Sequence, residues 1–268
     1  MRVAALQMVS TPDVNTNLDM ARLLLKQAAD AGAELAVLPE YFCLLGLKDT
    51  DKLAIAEQAG SGLLQDFLAR CASDLNVWVV GGTIPLAADV PGKVCNTTMV
   101  YNPVGECVAR YDKMHLFRFD NGVESYDEAR VLIPGAQPVT FDLPSRDGQT
   151  WRVGLSICYD LRFPELYRQL QSDLLLVPSA FTHTTGQAHW EVLLRARAIE
   201  NLAYVLAAAQ GGLHDNQRRT WGHSMVVDAW GHIMAQQAEC VSVVLADIDK
   251  PALAARRAQL PALGHRRL

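Results

Sequence analysis

The chain has 268 residues, half of them hydrophobic and a fifth charged, with a formal net charge of −5. That composition belongs to a folded chain rather than a disordered one, and the length suffices to bury about three quarters of the unfolded surface. A weak acidic balance with scattered Lys and Arg excludes the basic footprint of a nucleic-acid binder, and no apolar run approaches the roughly 20 residues of a membrane span.

The opening "RVAALQM" predicts a strand at 3–8 and lacks the layout of a secretory signal. A helix follows at about 16–31, with Asn15 or Thr16 as its cap, then a strand at 35–38, a helix at 61–75 capped by Ser61, and a strand at 77–82. Further strands are expected near 94–101 and 106–111, while 112–138 is rich in turn formers and reads as loop. Next come a strand at 151–157, a helix from about 163, a strand at 173–177, a helix at 187–202 and a strand at 203–209. Segments near 223–228, 231–236 and 241–248 read as strands in meander order, before a helix at 250–259. "NPVG" (102–105) and "DAWG" (228–231) have the composition of hairpin turns. No repeat or low-complexity linker interrupts the alternation, so one domain mixing helices with a large sheet system is expected.

Six cysteines stand at 43, 71, 95, 107, 158 and 240 with no C-x-x-C pair, which argues against a zinc ribbon or a disulfide framework. Reduced, mostly buried thiols in the cytoplasm are the expectation. Cys71 illustrates the ordinary case, sharing a helical apolar face with Leu64, Phe67, Leu68 and Leu75. Cys158 differs. In "VGLSICYDLRFPELY" an apolar strand runs into it and Pro164 suits the first turn of a following helix, so it sits on a strand-to-helix elbow. Such an elbow exposes a side chain and leaves the next N–H, that of Tyr159, free to hold an oxyanion. A buried strand-end cysteine fits the position equally well, and a nucleophilic thiol needs a base or cation beside it.

Two other apolar strands end on a charge: "LAVLPEYF" on Glu40 and "ARYDKMHLF" on Lys113. Either alone reads as a solvated turn residue or a member of an ion pair. An acid, an amine and a thiol at three strand ends together supply what acyl transfer through a thioester requires.

"LPE", "YDKMHLF" and "ICYDLRFPEL" resemble the Glu-Lys-Cys triad motifs of the nitrilase superfamily of carbon–nitrogen hydrolases. The resemblance continues through "AALQM", "AGAELAVLPE", "GVESYDEARVLIPG", "PSAFTHTTGQAHWEVLLRARAIEN" and "GHSMVVDAWG", nearly the whole chain. It implies an α/β fold, a four-layer α-β-β-α sandwich forming one domain over 1–268, and a homodimer with the 250–268 tail at its interface. It makes Cys158 the nucleophile, Glu40 the general base and later acid, and Lys113 a stabiliser of the tetrahedral intermediate beside the Tyr159 N–H. Glu128, a solvated loop acid on its local sequence, becomes a residue that positions Lys113 or the substrate. No cofactor or metal is implied.

"SAFTHTTGQAHWEVLLRARAIEN" is similar to the branch that hydrolyses amides of α-ketoglutarate. On that reading Arg162 clamps the carboxylate of a small α-keto acid amide, and Phe181 and Thr185 line the pocket. Without it, Phe181 is core and Arg162 a surface ion-pair member. The Q-x-G-x-H pattern of Gln210, Gly212 and His214 resembles members acting on deaminated glutathione more than the ω-amidases; the implied products are α-ketoglutarate and Cys-Gly. Arg218 or Arg219 then faces the distal glycine carboxylate, against the plainer reading of solvated loop arginines. The chain departs from the pattern in lacking a "GAE"-like insertion before "DLLLVPSA", which implies a shorter turn, and in its short ending "LPALGHRRL".

Two rivals remain open. The seven histidines invite a metal site or a Cys-His protease built on His115, His189 or His223, although no H-x-x-x-H or H-x-x-E-H pattern occurs and His189 adjoins an apolar helical stripe. A scaffold that keeps the fold for binding is the non-enzyme alternative, which the intact Glu40, Lys113 and Cys158 set argues against.

Overall fold

Three-residue apolar runs such as "LAV" at Leu35–Val37 and "LLL" at Leu174–Leu176 are too short and too uniformly buried for one-sided sheets. They are parallel strands covered on both faces. The computed structural model, described over residues 1–267, arranges them in two sheets. The first runs Ser242–Asp247, Arg2–Gln7, Leu35–Val37, Trp78–Val80 and Val94–Tyr101, the last pairing also with Ile84–Ala87 and Cys107–Asp112. The second runs Ile233–Gln237, Ser224–Val227, Tyr204–Ala207, Leu174–Leu176, Thr150–Leu155 and Thr140–Pro144.

Alternation along Arg2–Gln7 shows how the layers stack. Val3 and Ala5 enter the core between the sheets, where Val153, Leu155 and Leu206 meet them, while Ala4 and Leu6 face a second core under helices α1 (Val14–Asp30) and α2 (Leu63–Leu75). Leu166 and Leu170 of α3 (Pro164–Leu170), with Trp190, Leu194 and Ala198 of α4 (His183–Asn201), cover the outer face of the second sheet. The result is the expected α-β-β-α sandwich in one domain.

Several local expectations change. Asp13, not Asn15 or Thr16, caps α1 by accepting from the Thr16 N–H at 2.7 Å. Ser61 does not cap α2; the Glu57 carboxylate accepts from the N–H groups of Leu64 (2.5 Å) and Gln65 (3.2 Å). Glu57 presses so close to Gly62 that a Cβ there would come within 2.2 Å of it. The 112–138 region holds a ribbon, Arg118–Asp120 with Ser125–Asp127, and a 3-10 turn at Glu128–Arg130. The 241–248 strand does not continue a meander: Ser242–Asp247 crosses to the first sheet and pairs antiparallel with all of Arg2–Gln7. Its pattern fits there, with Val244 in the inter-sheet core and Val243 and Leu245 against the helix-side core. Both turns at 102–105 and 228–231 close hairpins.

Helix α5 (Lys250–Gln259) folds back on its own chain through buried Leu253 and an Arg257–Asp173 ion pair at 2.7 Å. The last position of the 250–268 tail lies outside the described residues. Four of the six cysteines are buried and Cys107 and Cys240 exposed, all as free thiols. Among the described residues no helix is long and apolar enough to cross a membrane.

Candidate active site

The strands Leu35–Val37, Cys107–Asp112 and Thr150–Leu155 come from two sheets, yet their carboxyl ends open onto one cleft, the usual place for ligands in α/β sheets. Glu40, Lys113 and Cys158 follow those ends. Glu40 and Lys113 are each only 1% exposed. The Lys113 ammonium donates to Glu40 Oε1 at 2.8 Å and to both oxygens of Glu128, at 2.9 and 2.8 Å. Glu40 also accepts from Asn96 Nδ2 and from the Ala180 N–H, both at 2.9 Å. Glu128 is therefore no solvated loop acid. It further accepts from the Phe117 N–H at 2.7 Å and the Tyr41 hydroxyl at 2.9 Å.

Backbone geometry aims these groups. Gly82, at φ +48°, packs behind the Glu40 loop where a Cβ would meet the Pro39 carbonyl at 2.1 Å. Cys158 itself has φ +48°, a strained conformation for a non-glycine residue and one often found at active sites. It opens a 3-10 turn, Cys158–Arg162, and its N–H donates to the Pro178 carbonyl. Tyr159 is the second residue of that turn, where a backbone N–H has no intrahelical acceptor. Fully buried Asp160 holds the turn: it accepts from the Ile157 N–H (2.8 Å), the Tyr111 hydroxyl (2.7 Å) and the His115 N–H (3.0 Å).

Electrostatics separate the three groups. Burial pushes the Cys158 thiol well above the usual thiol range, and the adjacent Glu40 adds to this against the opposing pull of Lys113. The resting sulfur is a thiol. Burial opposes the Lys113 charge, but Glu128 and Glu40 outweigh it and hold the ammonium above the usual lysine range. Burial likewise opposes the Glu128 charge, and Lys113 with the Phe117 N–H reverses the balance, so the carboxyl lies below its usual range. A proton acceptor, a fixed cation and a protonated thiol can together run addition and elimination at an acyl carbon.

A cavity borders Cys158, and Tyr159, Arg162, Phe181, Thr185 and Glu128 are in its wall. Arg162 lies 3.2 Å from His189 Nδ1 and over the rings of Tyr159 and Phe181, not in a surface ion pair. Phe181 does both of its expected jobs, lining the cavity and packing on Trp190 at 4.9 Å. Arg218 also reaches the wall, whereas Arg219 stays outside, paired with Glu239 at 2.8 Å. Gln210 and His214 do not line the cavity. His214 is buried between the Ser10 carbonyl (2.9 Å) and Thr220 (2.8 Å), and Gln210 donates to the Glu40 backbone carbonyl at 3.1 Å, so Gln210 braces the Glu40 loop. The three histidines are dispersed, His115 on Asp160, His189 on Arg162 and His223 on the Trp221 carbonyl. No cluster of His, Cys, Asp and Glu that could hold a metal occurs among the described residues. Asp160 and Asn96 were not singled out from the sequence, although a polar Asn96 inside the apolar run "VCNTTMVY" is a signal of the right kind.

Comparison with known proteins agrees with this geometry. The family model described as carbon-nitrogen hydrolase matches residues 2–258. The chain is 42% identical to a deaminated glutathione amidase of Synechocystis, over 98% of this chain and 97% of that protein. It is 39% identical to the human deaminated glutathione amidase, over 99% of this chain and 82% of that one. The crystal structure of Saccharomyces cerevisiae Nit3, a member of branch 10 of the nitrilase superfamily, superposes with a TM-score of 0.88 at 29% identity, covering 100% of this chain and 97% of the yeast one. With the fold, the cleft and the family match in agreement, the chain belongs to the carbon-nitrogen hydrolase family.

Proposed function

We propose that the protein is an amidase that cleaves deaminated glutathione to α-ketoglutarate and Cys-Gly through a thioester on Cys158. The observation that carries this reading is that Glu40 and Cys158 line one cavity whose wall also holds Arg162, with Lys113 donating to Glu40 beside it. The names of the Synechocystis and human relatives support the substrate.

Because the thiol is protonated at rest, Glu40 takes its proton as sulfur attacks the amide carbon. The carbonyl oxygen becomes an oxyanion facing the Lys113 ammonium and the Tyr159 N–H, charge stabilisation that is in place before the reaction begins. Glu40 then returns the proton to nitrogen, the C–N bond breaks and the amine departs, leaving the acyl group on sulfur. Water gives a proton to Glu40 and attacks the thioester carbon. Collapse releases the acid, and the sulfur recovers its proton. Glu128 keeps Lys113 charged and in place. Arg162 takes the carboxylate of the acyl half as a bidentate partner, Thr185 donates a hydrogen bond, and Phe181 forms an apolar wall.

We further read the protein as a cytoplasmic homodimer. Six unpaired cysteines suit a reducing compartment, and positions 260–267, exposed beyond α5, are available to a second copy. Sedimentation should return the dimer mass; a monomer would remove that part of the reading.

The deciding assay is release of α-ketoglutarate from deaminated glutathione and from α-ketoglutaramate, with Cys158→Ala as control. A preference of at least about 10-fold in kcat/KM for deaminated glutathione is expected, with turnover by the variant down by roughly 10⁴-fold or more. The opposite preference makes the protein an ω-amidase, and silence on both compounds refutes the reading.

A further inference from the structure

A second cavity adjoins the first and shares Phe117, Glu128 and Arg218 with it; Tyr41, Lys52 and Tyr126 complete the part that matters here. Two cations face it. Arg218 sits on the turn between Gly211–Leu213 and Arg219–Trp221. Its guanidinium lies 4.9 Å over the Tyr126 ring, and one Nη donates to the Ala180 carbonyl at 3.1 Å. Its Nε is buried with no hydrogen-bond partner among the described residues. A buried donor left unpaired is costly, so an unmet donor in a cavity wall marks a place for an acceptor. Lys52 lies in the 3-10 turn Asp49–Ile55 with its ammonium 4.7 Å over the Tyr41 ring, and it makes no ion pair among the described residues.

The acids nearby make no ion pair with these cations among the described residues. Glu128 already accepts from Lys113, Tyr41 and the Phe117 N–H. Asp127 caps the Ala129 N–H and lies 3.8 Å from Arg130. Asp49 stands exposed at the rim. Burial weakens the hold of Lys52 on its proton; the charges of Glu128 and Asp49 oppose this without reversing it, and Arg218 adds to the weakening.

We propose that this cavity is the subsite for the departing half of the amide, where Arg218 and Lys52 bind a carboxylate carried by the leaving amine. The proposal rests on the amidase reading and adds to it a two-anchor substrate. Arg162 takes the carboxylate of the acyl half beside Cys158, and Arg218 with Lys52 takes the carboxylate of a short peptide on the other side of the scissile bond. A departing dipeptide spans at most about 7 Å, which suits two cavities that share a wall.

The test uses three compounds with the same α-ketoglutaryl acyl half: the amide of Cys-Gly with its free carboxylate, the same amide ending in a carboxamide, and the primary amide. Affinities are measured by calorimetry on Cys158→Ala, which cannot turn them over, and turnover on the wild-type protein. The free acid should bind roughly 10- to 100-fold more tightly than its carboxamide, the range of a hydrogen-bonded charge. That ratio should fall below about 3-fold when Lys52→Met or Arg218→Gln is added. Equal affinities for acid and carboxamide in the parent overturn the proposal without any further variant, as does a ratio that survives both substitutions. Tight, carboxylate-dependent binding without wild-type turnover would refute the amidase reading and uphold the subsite.

Discussion

Around Lys113 every charge is answered by another charge or a backbone donor, whereas Arg162 and Arg218 rest on aromatic rings, a histidine and a carbonyl. Both regions border the same cleft. On the proposed mechanism, the difference follows from what each region does. Groups that stabilise a transition state work best when already fixed and dry, because nothing then reorganises during the reaction. Groups that recognise a carboxylate need spare hydrogen-bonding capacity, and stacking on a ring holds a guanidinium in place without consuming its donors.

The sharpest way to break this contrast is Glu40→Gln. Turnover should fall by roughly 10²- to 10⁴-fold with the loss of general acid–base catalysis. Alkylation of Cys158 should nevertheless speed up, because the charge that holds its proton is gone while Lys113 remains. Iodoacetamide labelling mapped by mass spectrometry decides this; unchanged labelling would mean that the Glu40 charge does not hold the thiol proton, and slower labelling that its action as a base outweighs that hold. Lys113→Met comes next. It leaves Glu40 and Glu128 buried without their cation, and urea unfolding should show a loss of about 3–5 kcal/mol. A loss comparable with that of a surface pair would contradict the view of Lys113 as the hub.

The recognition side should respond otherwise. Arg162→Lys should raise KM about 10-fold as the bidentate fork is lost, with Tm unmoved; a falling Tm would make Arg162 a structural residue. The smallest effect is alkaline. Cys158 and Lys113 both have folded-state values above their ordinary ones of 9.0 and 10.5, so their contributions to stability are complete below those values and are lost as pH rises past them. Tm should decline from about pH 9, and Cys158→Ala should delay the onset until Lys113 begins to titrate. Identical profiles for the two proteins would show that the thiol is not buried as described.

Much of the site was legible because it lies where local patterns break. Glu40 and Cys158 follow buried apolar strands, Lys113 follows the more exposed strand Cys107–Asp112, and Pro164 announces the helix after the elbow. Asp160 was not legible. Its role is to satisfy Ile157, Tyr111 and His115 at once, and only the first is a neighbour in the chain. Gln210 and His214 carry a distinctive pattern whose structural work was not legible: Gln210 supports the Glu40 loop and His214 is buried between Ser10 and Thr220, and neither lines the cavity. Glu128 looks like a loop acid until the ribbon at 118–127 carries it under Lys113.

Hydrophobic periodicity, strand-end charges and helix breakers are properties of a few consecutive residues, and they were enough to determine the alternation of strands and helices and the elbow at Cys158, and to mark Glu40, Lys113 and Cys158 as candidates. Tertiary structure alone decided that Ser242–Asp247 crosses to the first sheet, that Glu57 caps α2, and that Arg218 and Lys52 face one cavity while Arg219 does not. Those outcomes depend on which distant surfaces meet. A strand takes the edge that buries both its faces, and a polar group takes the partner that packing brings within reach, and neither choice is encoded in a local stretch of chain.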